Sequence, residues 1–169
     1  MSMQTDVKAG HLNNNGFILL GRTRLKALSI VGSAAAGTLD VFDTVTAPVT
    51  TATYARSGTT VTVTSTAHGL KTGDVRGFSF ASVGGISATN GNYAITKITD
   101  NSFIFTEINS GTIASGTALA YSTLWLNSYD VGAGDLFGNF ALIPGEGILV
   151  QNGIYMLMSN ITSANIYYG

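Results

Sequence analysis

Apolar and polar residues alternate with a period of two along most of this chain, and this pattern constrains its fold more than any other feature. The alternating runs are rich in Val, Ile, Thr, Tyr and Phe, and clusters of Gly, Asn, Asp and Ser separate them. Because strand side chains point alternately to opposite faces, each run predicts a β-strand. No run keeps apolar residues at helical spacing over about ten positions or more. We therefore predict an all-β fold of many short strands.

The sequence also indicates where the strands and several turns lie. Asn152-Gly153 is typical of a two-residue hairpin turn, and Asp100-Asn101 and Ser57-Gly58 suit the same role, because these residue types tolerate left-handed backbone conformations. The predicted strands are Arg24 to Val31, Thr38 to Asp43, Thr51 to Arg56, Thr60 to Ser65, Val75 to Phe80, Asn92 to Ile98, Ser102 to Thr106, Ala118 to Leu126, Phe137 to Ile143, Gly147 to Gln151, Ile154 to Met158 and Ala164 to Tyr168.

Charge is unusually scarce. Charged residues make up 10% of the chain, against roughly 25% in average globular proteins. Apolar residues make up 45% and proline occurs twice, which is not the composition of a disordered chain. A folded surface with so few charges is poorly protected against association. We therefore expect much of this surface to be buried against partners; the alternative is a solvated surface rich in Thr and Ser.

The tightest cationic group is Arg22, Arg24 and Lys26, whose alternation places all three on one face of a strand. Three such charges suit an acidic neighbour. They fall short of the basic stripe that phosphate-driven binding requires, so we expect no nucleic-acid partner.

The beginning of the chain predicts an extended arm. Residues Met1 to Gly16 are polar, and the apolar run Phe17 to Leu20 is too short for a secretory signal or a membrane span. We expect residues 1–16 to be flexible in isolation or ordered against a neighbour, with no membrane partner. Synthesis in the cytoplasm is the matching expectation.

Composition changes twice along the chain and predicts an insertion. Val45 to about Ala120 is rich in Thr, Ser and Gly, whereas the flanks hold most of the Leu and the later Met residues. We predict a β-sandwich host domain of residues 17–46 and 122–169, with a small β-barrel-like module, residues 47–121, inserted in one of its loops. The alternative is one continuous sandwich with a variable middle.

Residues that suggest chemistry are explained better by turns. A lone histidine, His68, needs a nucleophile and an orienting acid within reach before it indicates catalysis. We expect His68, Gly69, Gly73 and Asp74 to brace a turn. Turn roles are also expected for the acidic residues Asp40, Asp43, Asp130 and Asp135, which lack the spacing of a calcium loop. The lack of cysteine excludes a thiolate metal site and a cysteine nucleophile. Because the sequence also shows no acid–base pair or nucleophile motif, we predict no enzyme, no cofactor and no metal.

Apolar side chains near the end of the chain predict an interface. The run Tyr155 to Met158 is typical of a strand covered on both sides, and Met adapts well to irregular contacts. Tyr167 and Tyr168 suggest a final strand that is held in place. Together with the cationic group, the predicted interface residues are Arg22, Arg24, Lys26, Tyr155, Met156, Met158, Tyr167 and Tyr168.

The middle segment carries a fairly specific series of motifs. In order they are Thr60-Val61-Thr62-Val63-Thr64, Ala67-His68-Gly69-Leu70-Lys71-Thr72-Gly73-Asp74-Val75, Gly91-Asn92-Tyr93-Ala94-Ile95 and Asp100-Asn101-Ser102-Phe103-Ile104-Phe105. With them the segment resembles a small β-module of phage tail and particle proteins, described as similar to the first catalytic cysteine half-domain of ubiquitin-activating enzymes. It departs from that pattern at Arg76-Gly77-Phe78, where related modules carry apolar strand residues. The resemblance implies a fold and a virion context without ubiquitin chemistry.

The flanks carry a second series of motifs. They are Arg24-Leu25-Lys26-Ala27-Leu28, Gly37-Thr38-Leu39-Asp40-Val41-Phe42-Asp43, the segment from Ile143 to Tyr155, and Ala164-Asn165-Ile166-Tyr167-Tyr168-Gly169. With these residues the flanks resemble a small β-sandwich protein that recurs in tailed-phage particles.

These resemblances imply a structural protein of a tailed-phage virion. The first hypothesis is a capsid decoration, or cement, protein on the outer shell, forming homo-oligomers (a trimer is favoured) that contact the major capsid protein or other virion proteins. The second is a tail, neck or baseplate component. The third is a carbohydrate-binding module for host attachment, for which Trp125, Tyr121 and Tyr129 are the candidate platform.

Overall fold

A computed structural model describes residues 7–84, 86–136 and 138–169. The described residues form an all-β structure, as predicted, and it divides into two compact units. Unit 1 is Met1–Ala47 with Asn127–Gly169, and unit 2 is Pro48–Leu126. The strands are β1 Lys8–Leu12, β2 Gly16–Leu20, β3 Thr23–Gly32, β4 Gly37–Asp43, β5 Thr53–Thr64, β6 Val75–Phe80, β7 Gly91–Ala94, β8 Thr96–Thr99, β9 Ser102–Ser122, β10 Leu124–Val131, β11 Asn139–Leu142, β12 Ile148–Val150, β13 Gly153–Ser159 and β14 Ile161–Tyr168.

Unit 1 is a sandwich-like pair of antiparallel sheets. In the first sheet the order is β1-β14-β3-β11, and β12 also pairs with β3; in the second it is β10-β4-β13-β2. Both sheets contribute alternate apolar side chains to the buried interior, as expected for two sheets that each have one covered face. The most buried of these side chains are Leu25, Leu28, Ile30, Leu39, Val41, Ile154, Met156, Ala164 and Ile166.

The described part of the predicted arm is extended and pairs within the chain. Strand β1 lies antiparallel to β14, with Lys8 opposite Tyr168 and Leu12 opposite Ala164. The side chain of Asn15 then accepts a hydrogen bond from the main-chain N–H of Met158, at 2.7 Å. The last strand is thus held on both sides, by β1 and β3, as the terminal tyrosines predicted. Residues 1–6 of the arm lie outside the described residues.

Unit 2 is organised around its longest strand. The 21-residue strand β9 pairs with β5 along most of its length, with β8 near its start and with β6 near its end. Strand β6 also pairs with β7, and Ile95 separates β7 from β8 along the chain. These five strands enclose one core, which contains Tyr54, Val61, Val63, Phe78, Phe80, Ile95, Phe103, Phe105, Ile113, Leu119 and Tyr121.

Two predicted strands form one continuous strand in the structure. Thr51 to Arg56 and Thr60 to Ser65 belong to β5, and Ser57-Gly58 forms no hairpin. Gly58 instead has a φ of +62° beside a register shift, where β5 bulges opposite β9. A bulge bends a strand without ending it, and glycine adopts the required conformation at no steric cost. The predicted separation of these strands is therefore wrong.

The chain passes from unit 1 to unit 2 after Ala47 and returns after Leu126. The sequence placed these transitions after residues 46 and 121. Residues near Trp125 stay with unit 2 because the side chain of Asn92 bonds its backbone twice: Nδ2 donates to the carbonyl and Oδ1 accepts from the N–H, each at 2.8 Å. Gly77 lies beneath this contact, where an added Cβ would overlap the backbone N of Trp125.

Candidate docking surfaces

The predicted cationic group lines a groove in unit 1. Arg24 and Lys26 are on β3, and Arg22 lies in the turn before it. Strand β1 brings Lys8 to the same place because Lys8 pairs with the end of β14, next to β3. The groove has a volume of about 670 Å³ and is lined by Val7, Lys8, Leu19, Leu20, Arg22, Thr23, Arg24, Lys26, Leu149, Tyr168 and Gly169. We call it the basic groove.

The carboxylate of Glu146 lies beside the basic groove. Glu146 forms an ion pair with Arg24 at 3.1 Å, and its main-chain carbonyl accepts a hydrogen bond from Lys26 Nζ at 2.7 Å. Glu146 is held there by the turn before β12, in which Gly147 has a φ of +81° and lies against the carbonyl of Leu25. The Glu146 side chain is 81% exposed, so this pair is well solvated and worth at most about 1 kcal/mol.

The other predicted interface residues fall in different places. Tyr168 lines the basic groove, whereas Tyr167 lies one residue earlier on β14 and points to the opposite face. Tyr155 packs edge-on against Phe17 of β2, with ring centroids 4.9 Å apart. Met158 is partly exposed.

The prediction of Met156 as an interface residue is wrong. Its side chain is fully buried, because β13 is a central strand between β4 and β2 and Met156 faces the interior of the sandwich. The continuous apolar run therefore reflects burial within unit 1 at this position. Only alternate residues of the run reach the other face of the strand.

The sequence did not predict an uncharged, partly apolar face on the first sheet of unit 1. Residues opposite one another on neighbouring antiparallel strands share a face, and here they form two rows across β1, β14, β3 and β11. We call this surface the Phe140 face. Its rows are Ala9, Tyr167, Ala27 and Leu142, and His11, Asn165, Ser29 and Phe140.

Side-chain contacts confirm that the two rows share one face. His11 Nδ1 is 2.8 Å from Asn165 Oδ1, and the rings of Phe140 and Tyr167 lie 6.1 Å apart in an edge-to-face arrangement. Phe140 and Leu142 are nonetheless 62% and 71% exposed. Neither row contains Lys, Arg, Asp or Glu, so the Phe140 face is a candidate contact surface.

The predicted turn around His68 is present. His68 Nδ1 accepts a hydrogen bond from the N–H of Leu70 at 3.0 Å, so Nε2 carries the proton that it donates to the carbonyl of Thr99, at 2.9 Å. Asp74 does not bond His68; it accepts from the N–H of Lys71 at 3.0 Å. Gly69 and Gly73 have φ values of +65° and +94°, which glycine adopts most readily.

The four aspartates predicted in turns do not share that role. Asp40 and Asp43 are buried residues of β4, and Asp130 is an exposed residue of β10. Only Asp135 lies in a turn, where it accepts a hydrogen bond from Asn139. Asp43 accepts three hydrogen bonds from the main-chain N–H groups of residues 151–153, at 2.8, 2.7 and 3.1 Å. It therefore fixes the connection between β12 and β13.

Sequence reasoning missed a buried ion pair in unit 2. Arg56 of β5 donates to Glu107 of β9, and their side chains are 5% and 0% exposed. The second oxygen of Glu107 accepts from the N–H of Thr89 at 2.8 Å, and Arg56 also donates to the carbonyl of Ser87 at 3.3 Å. The alternation of the sequence could have indicated that Glu107 is buried, because Phe103, Phe105 and Glu107 lie two residues apart and share the buried face of one strand.

Two tyrosines near this ion pair have altered acidity. Burial raises the pKa of Tyr54, and burial together with the negative charge of Glu107 raises the pKa of Tyr93. In both cases the folded state favours the neutral phenol, whose O–H donates to a main-chain carbonyl, that of Ala81 for Tyr54 and that of Thr89 for Tyr93.

We expect the chain to lose stability in alkali through these tyrosines. The unfolded chain releases the phenol protons at pH about 10, before the folded chain does, so stability is complete below that pH and falls as the pH rises through the folded-state pKa values. Tyr93→Phe should make this fall shallower, leaving the contribution of Tyr54. Urea denaturation from pH 8 to 11 measures the effect. Parallel pH dependence in the wild type and the variant would contradict it.

One of the three aromatic residues of the predicted sugar-binding platform is buried. Tyr121 is a buried core residue of unit 2, and its hydroxyl lies 2.9 Å from Ser65 Oγ. Trp125 and Tyr129 are partly exposed but belong to different units. Within residues 7–84, 86–136 and 138–169, no three His, Asp or Glu side chains come together as possible metal ligands.

Comparison of the chain with models of protein families, with curated proteins and with solved structures found no match. Among the residues that the structure describes, no helix is long and apolar enough to cross a membrane.

Proposed function

We propose that this chain is a structural protein of a tailed-phage virion, and specifically a decoration protein that attaches to the outer capsid shell. The observation that carries the proposal is the Phe140 face, where two large apolar side chains stand exposed in two rows of residues that contain no Lys, Arg, Asp or Glu. Contact with another protein would remove this surface from water. The motifs quoted above for the flanks and the middle segment supply the virion context.

The energetic case for attachment rests on area and charge. Burying apolar surface is worth roughly 25 cal/mol per Å², so covering Phe140 and Leu142 supplies a few kcal/mol of favourable free energy. No charged side chain of the two rows has to lose its hydration at the same time, which is the usual cost of burying a polar surface. A protein that occupies many equivalent positions on a shell benefits from such a surface.

A tail, neck or baseplate protein is the second candidate. It is favoured by the middle segment, whose motifs resemble a module of phage tail proteins. The same Phe140 face would then contact a neighbouring tail protein. The number of copies per particle separates the two candidates.

The experiment introduces charge on the proposed contact surface. We expect the double variant Phe140→Lys/Leu142→Lys to fold but to be lost from purified particles of the virus that encodes the chain, because buried lysines without partners oppose attachment. Ile108→Lys is the control, since Ile108 is 90% exposed in unit 2. Incorporation is measured by quantitative mass spectrometry, and folding by circular dichroism.

Two results would contradict the proposal. Wild-type protein absent from purified particles would remove the virion assignment altogether. Equal incorporation of the double variant and the wild type would show that the Phe140 face is not the attachment surface.

A further inference from the structure

Unit 1 concentrates its positive charge in one place. Its four Lys and Arg residues are Lys8, Arg22, Arg24 and Lys26, and all four line the basic groove. Lys8 lies on β1, Arg22 lies in the turn before β3, and the other two lie on β3. The four charges come together because β1 and β3 both pair with β14. A clustering of this kind creates a local positive potential on a chain whose net charge is −1.

Most of that charge is not balanced within the described residues. Glu146 pairs with Arg24 and its carbonyl accepts from Lys26, but no carboxylate of the described residues lies within ion-pair distance of Lys8 or Arg22. The other ion pairs found among residues 7–84, 86–136 and 138–169 all lie in unit 2. The basic groove therefore has at least two cations available to an anionic occupant.

The same groove has an apolar part. Val7, Leu19, Leu20, Leu149 and Tyr168 line it beside the cations, and Val7 and Leu20 are 58% and 61% exposed. A phosphate or another small anion would leave these side chains in water. An occupant with both negative and apolar groups would satisfy the whole lining.

The neighbouring strands favour an extended occupant. Strands β1 and β2 are the outermost strands of their sheets, and residues from both line the groove. Edge strands have main-chain groups that can pair with an added segment. Alternate side chains of an extended segment point to opposite sides, so a segment that alternates acidic and apolar residues presents one type to the cations and the other to the apolar lining.

We propose that the basic groove binds an extended segment of a different protein in which acidic and apolar residues alternate. A second copy of this chain fits less well, because its sequence has no segment in which acidic and apolar residues alternate: no two of its nine Asp and Glu residues are two positions apart. Nucleic acid fits less well because four cations are fewer than the phosphate contacts that usually support binding, about six to ten. This inference rests on the proposed function in one respect: the partner that supplies the segment is a protein of the virion.

The test uses the full chain and a defined probe, a fluorescein-labelled octapeptide of alternating Glu and Val. We expect fluorescence anisotropy to show binding that weakens with added salt, and Lys8→Gln/Arg22→Gln to weaken it at least about tenfold, through loss of the two unpaired cations. The matched control is Lys71→Gln/Lys97→Gln, which removes the same charge from unit 2. Two further probes are tested: an octapeptide of alternating Gln and Val, which lacks the negative charge, and an eight-nucleotide oligothymidylate, which represents nucleic acid.

Each outcome decides the proposal. Binding lost in the groove variant and kept in the control supports it. No binding of the Glu and Val peptide, equal binding by both double variants, or equal binding of the Gln and Val peptide overturns it. Groove-dependent binding of the oligonucleotide as tight as that of the peptide also overturns it, in favour of nucleic acid. Failure here is distinct from failure of the proposed function, because incorporation into particles is measured separately on the Phe140 face.

Discussion

Replacing Glu107 with alanine should lower the free energy of unfolding of unit 2 by about 3–5 kcal/mol, the usual cost of breaking a buried ion pair from one side. Glu107 is fully buried and satisfies both Arg56 and the N–H of Thr89. Its removal leaves the guanidinium inside unit 2, where the Nε atom of Arg56 already has no hydrogen-bond partner among the residues that the structure describes. The loss is large because the remaining charge is neither paired nor hydrated.

Removing both charges should be less harmful than removing one. In Arg56→Met/Glu107→Leu the volume is roughly kept and no charge is buried, so we expect most of the stability lost in Glu107→Ala to return. Urea denaturation monitored by Trp125 measures this, because Trp125 is the only tryptophan of the chain and belongs to unit 2. Asp100→Ala, which removes the exposed carboxylate beside Lys97, is the control and should unfold like the wild type. A double variant no more stable than Glu107→Ala would refute the explanation.

Asp43→Ala should destabilise unit 1 by about 3 kcal/mol or more. Each hydrogen bond to a charged group is worth about 1.5–3 kcal/mol, and Asp43 accepts three from consecutive main-chain N–H groups. Asp43 is 1% exposed, so water does not replace it at these groups. Asp43→Asn should have a smaller effect because one acceptor oxygen remains.

The effect of replacing Asp43 is measured most directly at the main-chain N–H groups that its carboxylate binds. Amide hydrogen exchange should be slow at residues 151–153 in the wild type and much faster in Asp43→Ala, because these are the groups that lose their acceptor. Asp130→Ala removes an exposed carboxylate of the same unit and should change stability by no more than about 0.5 kcal/mol. Unchanged protection of residues 151–153 in Asp43→Ala would show that the carboxylate does not hold this connection.

The sequence predicted the fold class because alternation is a local signal. Strands such as β5 and the first part of β9 show their buried face in the alternation of their own residues, and this local signal is why the all-β prediction is confirmed. Close approaches between segments that are far apart in the chain produce no comparable pattern in the sequence. Gly153 was interpreted as a turn residue, yet its φ is not positive; glycine is needed there because a Cβ would lie 2.8 Å from the carbonyl oxygens of Leu19 and Thr44.

The candidate surfaces were only partly predictable for the same reason. The spacing of Arg22, Arg24 and Lys26 placed three cations together, but Lys8 joins them through the pairing of the first strand with the last. The Phe140 face depends on β11 pairing with β3, more than a hundred residues earlier in the chain. Met156 was assigned to an interface because an apolar run does not reveal whether its cover comes from the same chain or from another.

The copy number of the chain in purified virus particles tests the central proposal most directly. Quantitative mass spectrometry against the major capsid protein gives the ratio. A decoration protein of the outer shell should be present at one copy per capsid protein, or one per few. A ratio of only a few copies per hundred would contradict attachment to the shell and place the chain in the neck or tail, and its absence from the particles would contradict a virion role.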